Sequence, residues 1–285
     1  MRSSVLLAAS LLALAVDDRT HAESQSRRDG RIAVIVGESG EAGPSPRLIV
    51  MDADGKNPRV RLGDVVHASL SPNGRSIAYE TLAARDTRVV AADGRGPGRL
   101  LVRDGRSVDW SPNGDAIAFV RSRDTCSRGD VWIENLRSRK QRRVVRNAQW
   151  PNWSPDGKKL AFVRSRTSCP SSSAGSYVWA VDLASKRLQR LIRGADAPRW
   201  SPDGQRIGFT RWGDVSSFIY VARADGTAER RVAEADSAAW SPDGSELAIA
   251  NFSRVSRIRS DGTRRHVVYA PKGGCPACRD LDWVR

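Results

Sequence analysis

Apolar positions in this chain fall in short runs bounded by Gly, Pro, Asp and Asn, without the 3.6-residue spacing of an amphipathic helix. One triplet with a small middle residue recurs as Ile77-Ala78-Tyr79, Ile117-Ala118-Phe119, Leu160-Ala161-Phe162, Ile207-Gly208-Phe209 and Leu247-Ala248-Ile249. Each copy follows a polar turn: Leu70-Ser71-Pro72-Asn73-Gly74, Trp110-Ser111-Pro112-Asn113-Gly114, and the matching segments from Trp153, Trp200 and Trp240. The turn serines are Ser71, Ser111, Ser154, Ser201 and Ser241, spaced by 40, 43, 47 and 40 residues. A period of that size, built from short strands, fits four-stranded propeller blades.

Residue chemistry gives each part of the repeat a task. In Ser-Pro-Asp/Asn-Gly, Pro presets φ, the third residue tolerates a bent backbone, and Gly takes positive φ, so the motif joins two antiparallel strands. The first strand ends at Trp and the apolar triplet forms the second. Its small middle residue leaves room for a bulky group of a neighbouring sheet, for which the motif Trp is the candidate. A third strand and an Asp-Gly turn follow, as in Ile219-Tyr220-Val221 before Asp225-Gly226. The fourth strand is Arg-rich, as in Arg142-Arg143-Val144 and Arg230-Arg231-Val232.

The chain ends complete the pattern. Ile32-Ala33-Val34 reads as a second strand with no Trp strand before it. Asp280-Leu281-Asp282-Trp283 reads as a first strand with nothing after it. The expected fold is therefore all-β: a six-bladed β-propeller of four-stranded antiparallel blades over residues 31–285, its ring closed by the C-terminal strand joining the N-terminal blade. Trp110, Trp153, Trp200, Trp240 and Trp283 are its structural repeat residues.

These Trp-Ser-Pro-Asp-Gly, Ile-Ala-Phe and Asp-Gly units resemble the TolB-like β-propeller family over essentially the whole chain after residue 30. The small α/β domain that precedes the propeller in TolB has no counterpart here. The same repeat family supplies the propellers of dipeptidyl-peptidase-like enzymes. The resemblance implies the fold and, more loosely, a binding role in the cell envelope.

Residues 1–22 have the layout of a secretory signal peptide, with Arg2, an apolar run from Val5 to Val16, and a cleavage point after Ala22 or, fitting the small-x-small rule equally well, after Ala15; 23–30 read as a short linker. Twelve apolar residues are too few to span a bilayer, which needs about 20, and no stable membrane insertion is expected. Export places the chain in the periplasm, the envelope or the medium. The net charge of +15 suggests an anionic partner, and export makes nucleic acid a poor one. Much of that charge falls on the outermost strands, where Arg discourages edge-to-edge pairing and favours a monomeric propeller.

A search for catalytic chemistry returns little. There is no Gly-x-Ser-x-Gly elbow, phosphate-cradling loop or His-Glu-x-x-His, and no catalytic, cofactor or metal residues are expected. His67 and His266 fall on different strand types, which leaves a His-based metal site without its ligands. Asp109, Asp196, Asp236, Asp280 and Asp282 lie on inner strands, where carboxylates satisfy neighbouring amides or line the channel. Cys126 and Cys169 occupy equivalent places in successive repeats and suggest a cross-blade disulfide. Cys275-Pro276-Ala277-Cys278 suggests a local one, although four cysteines allow three pairings. The long loops beside Cys126 and Cys169 carry Arg121, Arg123, Arg128, Arg164 and Arg166, the candidate partner-binding patch. The reading is a secreted, non-catalytic module that binds a protein or an anionic envelope polymer. Its alternatives are a lyase- or lactonase-like enzyme using channel carboxylates, and an accessory propeller for a separately encoded peptidase.

Overall fold

The computed structural model describes residues 30–37, 45–96, 98–121, 129–165, 175–213, 216–271 and 278–284, and their regular structure is entirely β. The proposed signal peptide and most of the linker lie outside these residues. Strands β1 (Arg31–Val36), β2 (Arg47–Asp52) and β3 (Arg59–Gly63) form one antiparallel sheet, and β4 (Val65–Leu70), β5 (Ser76–Thr81), β6 (Thr87–Ala91) and β7 (Arg99–Val102) form the next. The chain continues through β8 (Gly105–Trp110), β9 (Ala116–Arg121), β10 (Gly129–Asn135), β11 (Gln141–Trp153), β12 (Lys159–Ser165), β13 (Ser176–Asp182) and β14 (Leu188–Arg193). Two further four-stranded sheets follow: β15 (Asp196–Trp200), β16 (Arg206–Trp212), β17 (Ser217–Arg223) and β18 (Arg230–Glu234), then β19 (Ser237–Trp240), β20 (Glu246–Asn251), β21 (Arg254–Arg259) and β22 (His266–Tyr269). The last strand, β23 (Arg279–Val284), pairs antiparallel with β1, placing Trp283 opposite Ile32 and Asp282 opposite Ala33. The two ends of the chain thus share one sheet, and the fold is an all-β propeller.

Six separate four-stranded sheets were expected, and the structure has four, with one seven-stranded sheet running from β8 to β14. The difference lies in β11, whose 13 residues pair as one continuous strand where every other repeat breaks between its outermost strand and the next innermost one. Its first half pairs with β10 (Val145 opposite Val131), and its second half pairs with β12 (Asn152 opposite Ala161).

The Ser-Pro-Asp/Asn-Gly motifs close as β-turns: the Gly N–H donates to the Ser carbonyl at 2.7–2.9 Å in all five. The Ser hydroxyl is buried and accepts the amide five residues on, as in Ser71 Oγ to Ser76 N at 2.9 Å. Between sheets the small middle residue of four of the triplets, Ala78, Ala118, Gly208 and Ala248, does admit a Trp. A Cβ on Gly208 would lie 3.3 Å from Trp240 Nε1 of the next sheet. Ala118 and Trp153 share a core cluster, as do Ala248 and Trp283. Phe119, Phe162 and Phe209 are buried beside them, and each contributes roughly 1.5–3 kcal/mol by leaving water.

Candidate functional site

Residues that meet across the ring come from the innermost strands, and a repeated irregularity sets their direction. Register shifts occur at Val65/His67 in β4, Arg106/Asp109 in β8, Gln149/Asn152 in β11 and Asp196/Arg199 in β15. Three residues before the motif Trp the backbone enters the left-handed region, at Ser107 (φ 50°), Trp150 (φ 54°), Ala197 (φ 46°) and Asp280 (φ 52°). A bulge of this kind re-aims the side chains that follow it, and for a residue as bulky as Trp150 the conformation is strained. Recurrence in four repeats shows that it belongs to the repeat.

Beyond these bulges the side chains meet across the axis. Asp280 Oδ2, on β23, lies 2.8 Å from His67 Nδ1 on β4, without the alignment of a full hydrogen bond, and accepts the Ala68 N–H at 2.9 Å. Asp280 Oδ1 is 3.7 Å from Arg199 Nη2 on β15, in a sheet not adjacent to its own. The His67 ring stands edge-on to Trp150, centroids 6.0 Å apart, and its Nε2 is 2.9 Å from the Val108 carbonyl. Glu80 closes the cluster from β5, accepting the Ser107 N–H at 3.2 Å.

A second set of contacts runs from three of the innermost strands to the next. The residue preceding the motif Trp accepts an amide of the neighbouring innermost strand: Asp282 from Leu70 at 2.7 Å, Asp109 from Trp153 at 2.8 Å, and Asn152 from Trp200 at 2.7 Å. Two indoles reach back to the preceding sheet, Trp110 Nε1 to the Ser69 carbonyl at 3.1 Å and Trp240 Nε1 to the Arg199 carbonyl at 3.0 Å.

Burial governs the ionisation of this cluster. It raises Asp109 to about 6, against the pull of Arg199 and the Trp153 amide. It also raises Asp282 and Glu80. Asp280 goes the other way: burial would raise it, but the charge of His67 beside it, with Arg199 and the Ala68 amide, holds it below the usual carboxylate range. Burial would likewise lower His67, and Asp280 overrides it and raises the imidazole.

Of the five inner-strand carboxylates read from the sequence, Asp109, Asp280 and Asp282 come together here. Asp236 instead lies at the entry to β19, where burial raises its carboxyl against a hydrogen bond from Ser217. Asp196 is buried at the start of β15. Sequence reasoning missed His67, Glu80, Arg199, Asn152 and Trp150. Counting back one and three places from each motif Trp or its Leu70 counterpart would have found all but Glu80.

The Arg patch divides. Arg123, Arg128 and Arg166 lie outside the described residues, as do Cys126, Cys169 and Cys275. Arg121 stacks on Phe119 and Trp132, 5.5 and 4.9 Å from the ring centroids, and donates to Gln141 at 2.9 Å. Arg164 does the same over Phe162 and Trp179, and burial lowers its guanidinium. Arg211, two residues after Phe209, repeats the arrangement over Phe209 and Tyr220. Cys278 is buried against Leu281 and Trp283.

Comparison with known proteins fits this geometry. The sequence profile described as the TolB beta propeller domain matches residues 92–262. The chain belongs to this family. TolB from Acinetobacter baumannii superposes with a TM-score of 0.73 at 18% identity, covering 90% of this chain and 66% of that one. A TolB-like protein from Agrobacterium tumefaciens gives 0.66 at 16% identity, covering 90% and 99%. An oligogalacturonate lyase in complex with manganese gives 0.55 at 13% identity, covering 86% and 75%. At such identities these likenesses establish a shared TolB-type propeller fold. A search of curated protein sequences returns no match.

Proposed function

We propose that this TolB-type propeller is an exported, non-catalytic binding module for a protein or an anionic polymer of the cell envelope. The observation that carries this reading is the use made of the inner carboxylates. Asp109, Asp280 and Asp282 each accept an amide of a neighbouring strand, and Asp280 also faces His67 and Arg199. Acid–base work on a sugar or lactone needs two carboxylates flanking an open cleft. Here they brace the ring instead.

In this reading the seven-stranded sheet counts as two blades sharing β11, which gives six around the axis. Residues 1–22 direct export, Cys275 pairs with Cys278 and Cys126 with Cys169. The loops carrying Arg123, Arg128 and Arg166, beside Arg121 and Arg164, contribute to partner recognition.

Affinity capture from the producing organism's envelope tests the reading, with the purified mature protein at low and high salt. Retention of a defined protein or polymer is expected. Retention of nothing at any salt overturns it. One observation favours a catalytic alternative: Asp109, with its carboxyl near 6, is poised as an acid or base around neutral pH. That alternative requires a turnover abolished by Asp109→Asn.

A further inference from the structure

The sheet β19–β22 carries a cleft of about 480 Å³ lined by Asn251, Arg254, Arg265, His266 and Val267. It runs beside the outermost strand β22, away from the axial cluster. No carboxylate lines it. Among the described residues neither Arg254 nor Arg265 has an acidic side chain within ion-pair distance, and both are exposed. Three other arginines nearby hold the fold together. Arg257 pairs with Glu246 and stacks over Trp283 at 5.0 Å, Arg206 reaches the Gly244 carbonyl at 2.9 Å, and Arg230 reaches the Ser260 carbonyl at 2.7 Å.

One end of the cleft is shaped in advance. Asn251 pairs with Arg254 across a two-residue connection, and Asn251 Oδ1 accepts both the N–H and the hydroxyl of Ser253 at 3.2 Å. That connection holds out Phe252, 68% exposed and the most exposed large apolar side chain of the described residues. Val267 is 48% exposed along the same edge. Arg254, whose Nε donates to Ser253 Oγ at 3.2 Å, and Arg265, neither with an acidic partner among the described residues, therefore share one cleft with an imidazole, a side-chain amide and an apolar face. Guanidinium matches carboxylate and phosphate bidentately, and a lone surface charge does not select a shape.

We propose that this cleft binds a linear polymer carrying closely spaced oxyanions, with Arg254 and Arg265 taking successive anionic groups. The site rests on the binding-module reading and names its ligand class. Carboxylate and phosphate share the required chemistry, so both sources are tested.

Titration calorimetry at low salt with an oligouronate and with tripolyphosphate provides the test. The native protein is compared with Arg254→Ala/Arg265→Ala and with Arg99→Ala/Arg103→Ala, a pair of exposed arginines on another sheet. The expected result is saturable binding of at least one probe, weakened about tenfold or more by the first double substitution and less than about twofold by the second. An oligouronate preference assigns carboxylate chemistry, and a tripolyphosphate preference assigns phosphate. Equal weakening by both doubles overturns the site, because net charge then suffices, and leaves the envelope-binding reading standing. Binding of neither probe also overturns it, while envelope capture decides the wider reading separately.

Discussion

Asp280 and His67 form a buried ion pair, Oδ2 to Nδ1 at 2.8 Å, that ties the last strand of the chain to β4. Their side chains are only 10% and 6% exposed, so neither charge has water to fall back on. Together with Asp282, which holds Leu70, the pair fixes β23 to the strand after the first repeat as well as to β1. Closure of the ring therefore has a polar component in addition to the packing of Leu281 and Trp283.

Removing one partner should cost more than removing both. Asp280→Ala leaves the His67 ring without the carboxylate that favours its charged form, and the Ala68 amide without its acceptor, and a loss of about 3–5 kcal/mol is expected. His67→Leu leaves the carboxylate with Arg199 and should lose somewhat less. The double variant should be well short of the sum. Urea denaturation of the four proteins measures the coupling, and additive losses would show that the two residues act independently.

The same pair sets one limb of the pH dependence. His67 is raised in the fold, so its stabilisation is full below its ordinary 6.5 and is lost as pH rises through the raised value. Asp280 is lowered, so its share is present above its ordinary 3.8 and is lost as pH falls through the depressed value. The melting temperature should decline as pH rises above 6.5, and His67→Gln should remove that decline.

Asp109 acts in the same sense as His67, at lower pH. Its carboxyl is raised from 3.8 to about 6, so the native state holds a proton that the unfolded chain releases. Stability should fall as pH rises between those values, by about 3 kcal/mol for a shift of roughly two units. Asn in this place still accepts the Trp153 amide without a charge to bury. Asp109→Asn should therefore flatten the pH 4–6 limb and match or exceed native stability at pH 7.

A close backbone approach guards the seam between β22 and the first sheet. A Cβ on Gly55, at φ +82°, would sit 1.7 Å from the Val268 carbonyl oxygen. Gly96 has nearly the same φ, +86°, with nothing within 4 Å of its Cβ position. Both Ala substitutions bear the conformational cost of about 1 kcal/mol, and only Gly55→Ala bears the collision. Gly55→Ala should lower the unfolding midpoint clearly more than Gly96→Ala does.

Much of this architecture was legible because its determinants are local. Ser-Pro-Asp-Gly specifies a turn, Ala118 or Gly208 specifies a space for Trp, and Trp283 falls one repeat beyond Trp240. The merger at β11 was not legible, because the Arg146–Ala148 stretch has an ordinary connection's composition and only its pairing shows that it joins two strands into one. The axial cluster escaped for another reason. A bulge shifts the strand alternation by one residue, so His67 and Arg199 turn toward the axis against a simple period of two. Arg121 and Arg164 read as loop cations until the structure showed aromatic rings beneath them.

The motif tryptophans supply an internally controlled prediction. Trp110 and Trp240 donate their indole N–H to the carbonyl of Ser69 and Arg199, while Trp153 and Trp200 bury Nε1 without a partner among the described residues. Phe at any of the four removes similar apolar area, so that loss largely cancels in a comparison. At Trp110 or Trp240 the substitution also strands a carbonyl and removes a hydrogen bond, a further cost of about 1–2 kcal/mol. At Trp153 or Trp200 it removes an unsatisfied buried donor, which is neutral or favourable. Chemical denaturation should therefore rank Trp110→Phe and Trp240→Phe as the more damaging pair, and equal losses at all four would mean that the indole hydrogen bonds contribute nothing to cohesion between sheets.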